Sequence, residues 1–289
     1  MKDARLQNTV TSESAPSIPF SVSMCVYEKD NPEHFRTALE SILNQTVKPS
    51  EVVLVVDGPV TEEIDSVIRD YENNTTFVVE RLPVNQGHGN ARRIGLQRCS
   101  NDIVALMDAD DISSPNRFEQ QLAIFGTEPN VSVVGGNITE FVGEPNNIVA
   151  ARNVPKTDAE IKAYMKTRCP MNQVTVMFKK ADVEAVGGYI DWYCEEDYYL
   201  WLRLMLGGYG FANVTSTLVN VRVGQDMYQR RGGWKYFKSE ARLQKLMLDK
   251  KIIGIANYAV NTLKRFIVQV CLPNSLRGWV FKTFAREKK

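Results

Sequence analysis

Three short apolar runs constrain this chain most: "FSVSMCV" from Phe20, "EVVLVVDG" from Glu51 and "DIVALMD" from Asp102. Each is rich in apolar and β-branched residues, with only Ser21 and Ser23 breaking the first, and reads as a buried strand. Helical segments separate them. Asn31 caps and Pro32 opens a helix in which Phe35, Ala38, Leu39, Ile42 and Leu43 share one face. A second helix is expected from Thr61 to Tyr71, leading to the strand "TFVVERL", and a third around "NARRIGLQRC". Strand–helix repetition of this kind specifies an α/β fold: a mostly parallel, Rossmann-like central sheet with helices on both faces. Ligands of such sheets bind beyond the carboxyl ends of the strands. Asp57 and the group Asp108, Asp110 and Asp111 stand at two such ends.

Further along, a helix should run from Pro115 to Phe125, and "VSVVGGNITEF" and "NIVAARNV" suggest a hairpin across "VGEPNN". A helix near Asp158–Thr167, a strand "QVTVMFKK" and a turn at Gly187–Gly188 follow. "EEDYYLWLRLML" reads as a helix stopped by Gly207–Gly208, and two strands, "FANVT" and "LVNVRV", are expected to close the domain near Val223. The organisation predicted is a polar, disordered lead-in over 1–17, a catalytic domain over 18–225, and a loop with amphipathic helices over 226–289.

The composition narrows the function. With 289 residues, 44% of them apolar, the chain can bury a large core, and its net charge of +1 gives no signature of nucleic-acid binding. Five scattered cysteines without a C-x-x-C pair indicate free thiols in a reducing compartment, Cys25 and Cys99 reading as small buried hydrophobes. Two histidines leave little for a zinc site or a histidine-dependent triad. The N-terminus lacks the apolar centre of a signal peptide, and the longest charge-free apolar stretch, "IIGIANYAVNTL", falls short of the roughly 20 residues a spanning helix needs.

A dinucleotide site would need a glycine fingerprint after the first strand, and "VYEKDNPEHF" has no glycine. Three acidic groups remain: Asp57, "DADD" and "EED" at Glu195–Asp197. Between the first two lies "NQGHGNARRIG" with Arg92 and Arg93. Hard carboxylate oxygens suit magnesium or manganese, and arginine suits a phosphate. Taken singly, each acid has a plain explanation. Asp57 could shape a turn before Gly58, "DADD" could be a solvated turn, and Asp197 could answer a helix dipole. His88 and Arg92 could be surface residues of their helix.

The ordered set "VSMCVYEKD", "LVVDG", "NQGHGNARRIG", "LMDADD" and "VGGYI…EEDYYLWLR" resembles the inverting glycosyltransferases of family 2, with the GT-A fold, of the kind that assembles bacterial surface polysaccharides. The resemblance spans Pro19 to Val223. It implies that Tyr27 and Glu28 lie near the base and ribose of a nucleotide-sugar, usually a UDP-sugar, and that Asp57 meets the base. Arg92 matches the arginine of the family's "ARN-x-G" motif, with Arg93 where asparagine is usual. Asp108 and Asp110 match the D-x-D pair, Asp110 as ligand of manganese or magnesium and Asp108 serving ribose or metal. Asp197 matches the catalytic base, while Glu195 and Glu196 could assist it or cap its helix. Arg230 and Arg231 suggest a loop over the donor diphosphate or a basic linker. From Lys250 onward nine basic residues face one acidic residue, Glu287, interleaved with apolar ones. That pattern fits an interfacial helix on an anionic membrane, or a helical pair packed on the domain. A glycan acceptor, lipid-linked, at the cytoplasmic face of the cell membrane is the implied partner. The rivals are a nucleotidyltransferase, which would release pyrophosphate, and a nucleotide-sugar-binding protein without turnover.

Overall fold

The structure, a computed structural model, describes residues 18–224, 232–273 and 277. In chain order the first half runs β1 (Phe20–Val26), α1 (Pro32–Leu43), β2 (Glu51–Val56), α2 (Glu62–Glu72), β3 (Phe77–Arg81), α3 (His88–Arg98), β4 (Ile103–Met107), β5 (Ile112–Ser113) and α4 (Arg117–Thr127). The second half runs β6 (Val131–Phe141), β7 (Ile148–Arg152), α5 (Asp158–Tyr164), β8 (Met177–Lys179), α6 (Lys180–Ala185), α7 (Glu196–Leu206), β9 (Gly210–Arg222), α8 (Trp234–Asp249) and α9 (Ile255–Phe266), which continues into a π turn over Ile267–Cys271.

The strand order is β3-β2-β1-β4-β8-β6-β9-β5, with β7 paired to β6. The first four strands are parallel; β8 then runs antiparallel to both β4 and β6. Both faces are covered, as the continuous apolar strands require. Along β2, Val52, Leu54 and Val56 point into a core with Phe35 and Leu39 of α1, Ile64 of α2 and Phe118 of α4. Val53 and Val55 point the other way, towards Leu96 of α3, Trp201 of α7 and Leu243 of α8. Asn31 caps α1 through two backbone amides, and Thr61 caps α2, as their residue types predict.

Two expectations are corrected. "QVTVMFKK" is a strand only over its last part, since Gln173–Thr175 forms a 3-10 turn. The Asn172 carbonyl accepts from both the Thr175 amide (2.9 Å) and its hydroxyl (2.7 Å), so local hydrogen bonding outcompetes strand propensity. "FANVT" and "LVNVRV" form one strand, β9, running parallel to β6. The register slips near Gly136 and Asn137, and Asn137 Nδ2 donates to Thr215 O at 2.6 Å across the irregularity, letting the strand continue. The lead-in over 1–17 and the arginines Arg230 and Arg231 lie outside the described residues. Among the described residues no helix is long and apolar enough to cross a membrane.

Candidate active site

Parallel register aligns the strand ends that carry the site. Val26 of β1 lies opposite Val56 of β2, and Met24 opposite Met107 of β4, so Tyr27, Asp57 and Asp108 emerge along one edge. Tyr27 and Glu28 occupy an exposed turn after β1. That turn is closed by Asp30, whose Oδ2 accepts the Tyr27 amide at 2.9 Å.

Asp57 is buried. Its Oδ1 accepts the Gln86 amide at 2.7 Å and its Oδ2 the Gly87 amide at 3.0 Å, while Asn85 Nδ2 donates to its carbonyl at 3.0 Å. The carboxylate therefore clamps the glycine-rich loop to the end of β2, with lone pairs left over for a ligand N–H. Gly58 is required beside it: at φ +89° a side chain would be strained, and a Cβ would stand 2.6 Å from the Asn85 nitrogen.

Arg92, on α3, is 3% exposed and donates from Nη2 to Asp108 Oδ1. Burial opposes its charge, but the surrounding groups, Asp108 foremost, together outweigh burial and leave its pKa raised. Its Nε also donates to His88 Nε2 at 3.0 Å, which puts the imidazole proton on Nδ1. That nitrogen faces Glu196 Oε1 at 3.5 Å. A chain Asp108–Arg92–His88–Glu196 thus links the D-x-D turn to the helix that starts with Glu196 and Asp197.

Asp197 accepts the Tyr198 amide at 2.6 Å on its own Oδ1. Burial, followed by the charge of Glu196, pushes its carboxyl up to about 6, into the range where a base works near neutral pH. Glu195 is buried, and burial, followed by the Glu240 carboxylate, pushes it well above the usual range. Glu240 itself pairs with Arg265 of α9 and accepts from Gln269 Nε2 at 2.8 Å, so the acidic stretch is tied to the C-terminal helices.

Asp108 and Asp110 flank the turn after β4, and Asp110 is exposed beside a cavity of about 790 Å³ bordered by His34, Thr37, Glu144 and Arg222. Asp111 accepts the Arg222 amide at 2.9 Å and serves to tie this turn to β9. Burial, followed by the charges of Asp110 and Asp108, pushes Asp30 up to about 6, an acid near this cluster that the motif reading omits. Arg117 is also absent from that reading. Fully buried, it donates to Leu106 O at 2.8 Å and to Gln121 at 3.0 Å, and burial lowers its pKa to about 9. His88 and Arg92 are four apart on one helix, a spacing visible in sequence. Nothing in the sequence announces Glu196 as the next member.

The family model "Glycosyl transferase family 2" matches residues 21–186. The chain belongs to glycosyltransferase family 2. This transferase is 41% identical over 268 residues to an uncharacterized glycosyltransferase of Haemophilus influenzae, covering 93% of this chain and 99% of that one. It is 37% identical over 270 residues to the UDP-Gal:alpha-D-GlcNAc-diphosphoundecaprenol beta-1,3-galactosyltransferase of Escherichia coli, covering 92% and 96%. Among solved structures, TarS 1-349 of S. aureus in complex with UDP-GlcNAc superposes with a TM-score of 0.63 over 92% of this chain and 76% of that one, at 18% identity, a likeness of fold.

Proposed function

We infer that this transferase moves a sugar from a UDP-linked donor to a hydroxyl of a lipid-linked glycan, with inversion, at the inner face of the cell membrane. The observation that carries the reading is Asp197: a carboxylate pushed up to about 6 at the head of a rigid helix, joined through Glu196, His88 and Arg92 to Asp108. The acceptor oxygen attacks the anomeric carbon as the bond to the diphosphate oxygen breaks. The bond's electrons leave with the diphosphate, and the acceptor proton passes to Asp197. Direct attack from the opposite face inverts the centre.

Tyr27, Glu28 and Asp57 would receive the base and ribose, and Arg92 would hold Asp108 in place while facing the diphosphate. No group of three or more His, Cys, Asp or Glu side chains among the described residues converges as a metal cage. Two carboxylates, Asp108 and Asp110, match magnesium or manganese, which bind through one or two carboxylates together with substrate phosphates. The ion would neutralise charge on the leaving diphosphate. Apposition to a membrane has its own support. Ile255, Val260, Leu263 and Ile267 are exposed on α9 and its extension while Asn261 is buried, so the apolar side faces outward.

A panel of nucleotide sugars with manganese tests the reading through UDP release. Wild-type protein should release UDP, and Asp197→Asn should lose at least about a hundredfold in turnover while binding UDP unchanged. Pyrophosphate as product, or full turnover by Asp197→Asn, would refute it.

A further inference from the structure

Three exposed cations have no part in the chemistry above. Lys235, Lys238 and Arg242 stand on one side of α8 at positions i, i+3 and i+7. Among the described residues none of them forms an ion pair with a carboxylate, although Lys245 on the same helix pairs with Asp249. Each rests on an aromatic ring instead. Lys235 Nζ lies 4.0 Å from the Tyr193 ring centre, Lys238 Nζ 5.6 Å from that of Trp234, and Arg242 Cζ 4.2 Å from that of Trp192. An aromatic face orders a cationic side chain without neutralising it, so its N–H groups stay available to an anion.

The stripe has a defined place between two features of the fold. At one side, Ser239 of α8 straps down the loop before α7: its hydroxyl donates to Tyr193 O at 2.6 Å, and Trp192 Nε1 donates to Ser239 O at 3.3 Å. Four residues beyond Tyr193 stands Asp197. At the other side, Trp234 meets Phe266, the last residue of α9, edge-on at 6.3 Å. There the outward apolar row of Ile255, Val260, Leu263 and Ile267 begins; at about 100° per residue these four span an arc of roughly 140°. A molecule with an apolar tail on α9 and a sugar at Asp197 would cross the three cations in between.

We propose that Lys235, Lys238 and Arg242 form the subsite for the diphosphate of a lipid-linked acceptor. The inference rests on the lipid-linked acceptor reading above and adds which atoms hold it. Three positive charges match the two to three negative charges of a lipid diphosphate, and on the reading above the donor's diphosphate has separate partners in Arg92 and in the ion that Asp108 and Asp110 would hold. A stripe serving only bilayer headgroups would have no need of its strap to the loop that leads into α7, whose first turn carries Asp197.

The test is calorimetric binding of farnesyl diphosphate and farnesol to the full chain with UDP and manganese at saturation, so that the donor site is filled. Wild-type protein should bind farnesyl diphosphate at least tenfold more tightly than farnesol. The triple variant Lys235→Gln, Lys238→Gln, Arg242→Gln should lose that preference while keeping its affinity for farnesol and UDP and its melting temperature. Equal affinity of wild type for the two probes, or an unchanged preference in the variant, would overturn the subsite. A variant that loses only its binding to phosphatidylglycerol vesicles would overturn it too, assigning the cations to headgroups. Absence of UDP binding by the wild type would instead count against the donor reading, and the farnesyl comparison would still decide the subsite.

Discussion

Acid should silence this transferase through Asp197 at a pH far above that of an ordinary carboxylate. Its carboxyl is pushed from 3.8 up to about 6 by burial and then by the Glu196 charge, against the opposing pull of the Tyr198 amide, Arg152 and Arg92. A base must be ionised to take a proton, so the rate falls as pH drops through about 6. At that value about nine-tenths of Asp197 is ionised at pH 7 and about one-tenth at pH 5, a loss of roughly tenfold. A carboxylate near 3.8 would lose only about a twentieth of its activity over the same interval. Initial rates of UDP release between pH 5 and 8, with both substrates well below their KM values, report the free enzyme. Glu196→Gln removes the second cause of the shift, so its acid limb should move to lower pH whatever happens to its absolute rate. Asp30 is also pushed up to about 6, by burial and then by Asp110 and Asp108, so Asp30→Asn is the control and should leave the limb in place. A limb near pH 4, a limb that moves upward in Glu196→Gln, or one abolished by Asp30→Asn would refute the assignment.

Asp57→Ala removes the acceptor of two backbone amides and should cost about 3 kcal/mol, or about 5 °C in Tm, with weaker UDP binding. Scanning fluorimetry checks it, and an unchanged Tm would mean the loop needs no clamp. Burial, and then Glu240, raise Glu195 well above its usual value in the folded state, whereas the unfolded chain ionises near pH 4.5. Native stability therefore falls as pH rises above that value; Glu195→Gln escapes the loss and should raise Tm more at pH 8 than at pH 5, a uniform shift counting against it. Leu263→Asp with Ile267→Asp should abolish co-sedimentation with anionic vesicles and leave UDP binding intact; retained co-sedimentation would show that the outward face of α9 has another purpose.

The parallel half of the sheet is legible in the sequence because β1, β2 and β4 are buried on both faces and so are dominated by apolar residues, with only the small serines Ser21 and Ser23 interrupting β1. β6 follows "VSVVGGNITEF" residue for residue. Where the sequence misleads, a distant partner or a side chain has intervened. The Asn172–Thr175 hydrogen bonds shorten β8, and the Asn137 amide carries β9 past its irregularity. The site divides in the same manner. Asp57, Arg92, Asp108, Asp110 and Asp197 stand out by motif and order, whereas Asp30, His88, Glu196 and Arg117 draw their meaning from what they touch.

By itself, then, the sequence determined the strand–helix rhythm, the edge of the sheet where a ligand belongs and the acids that stand there, because periodicity and capping are local properties. Only the tertiary structure decided that Glu196 meets His88, that Asp197 is buried enough to titrate near 6, and that α9 turns Asn261 inward and its apolar row outward. Those facts depend on contacts between residues far apart in the chain, and an amphipathic pattern marks two faces of a helix without saying which one the rest of the protein will cover.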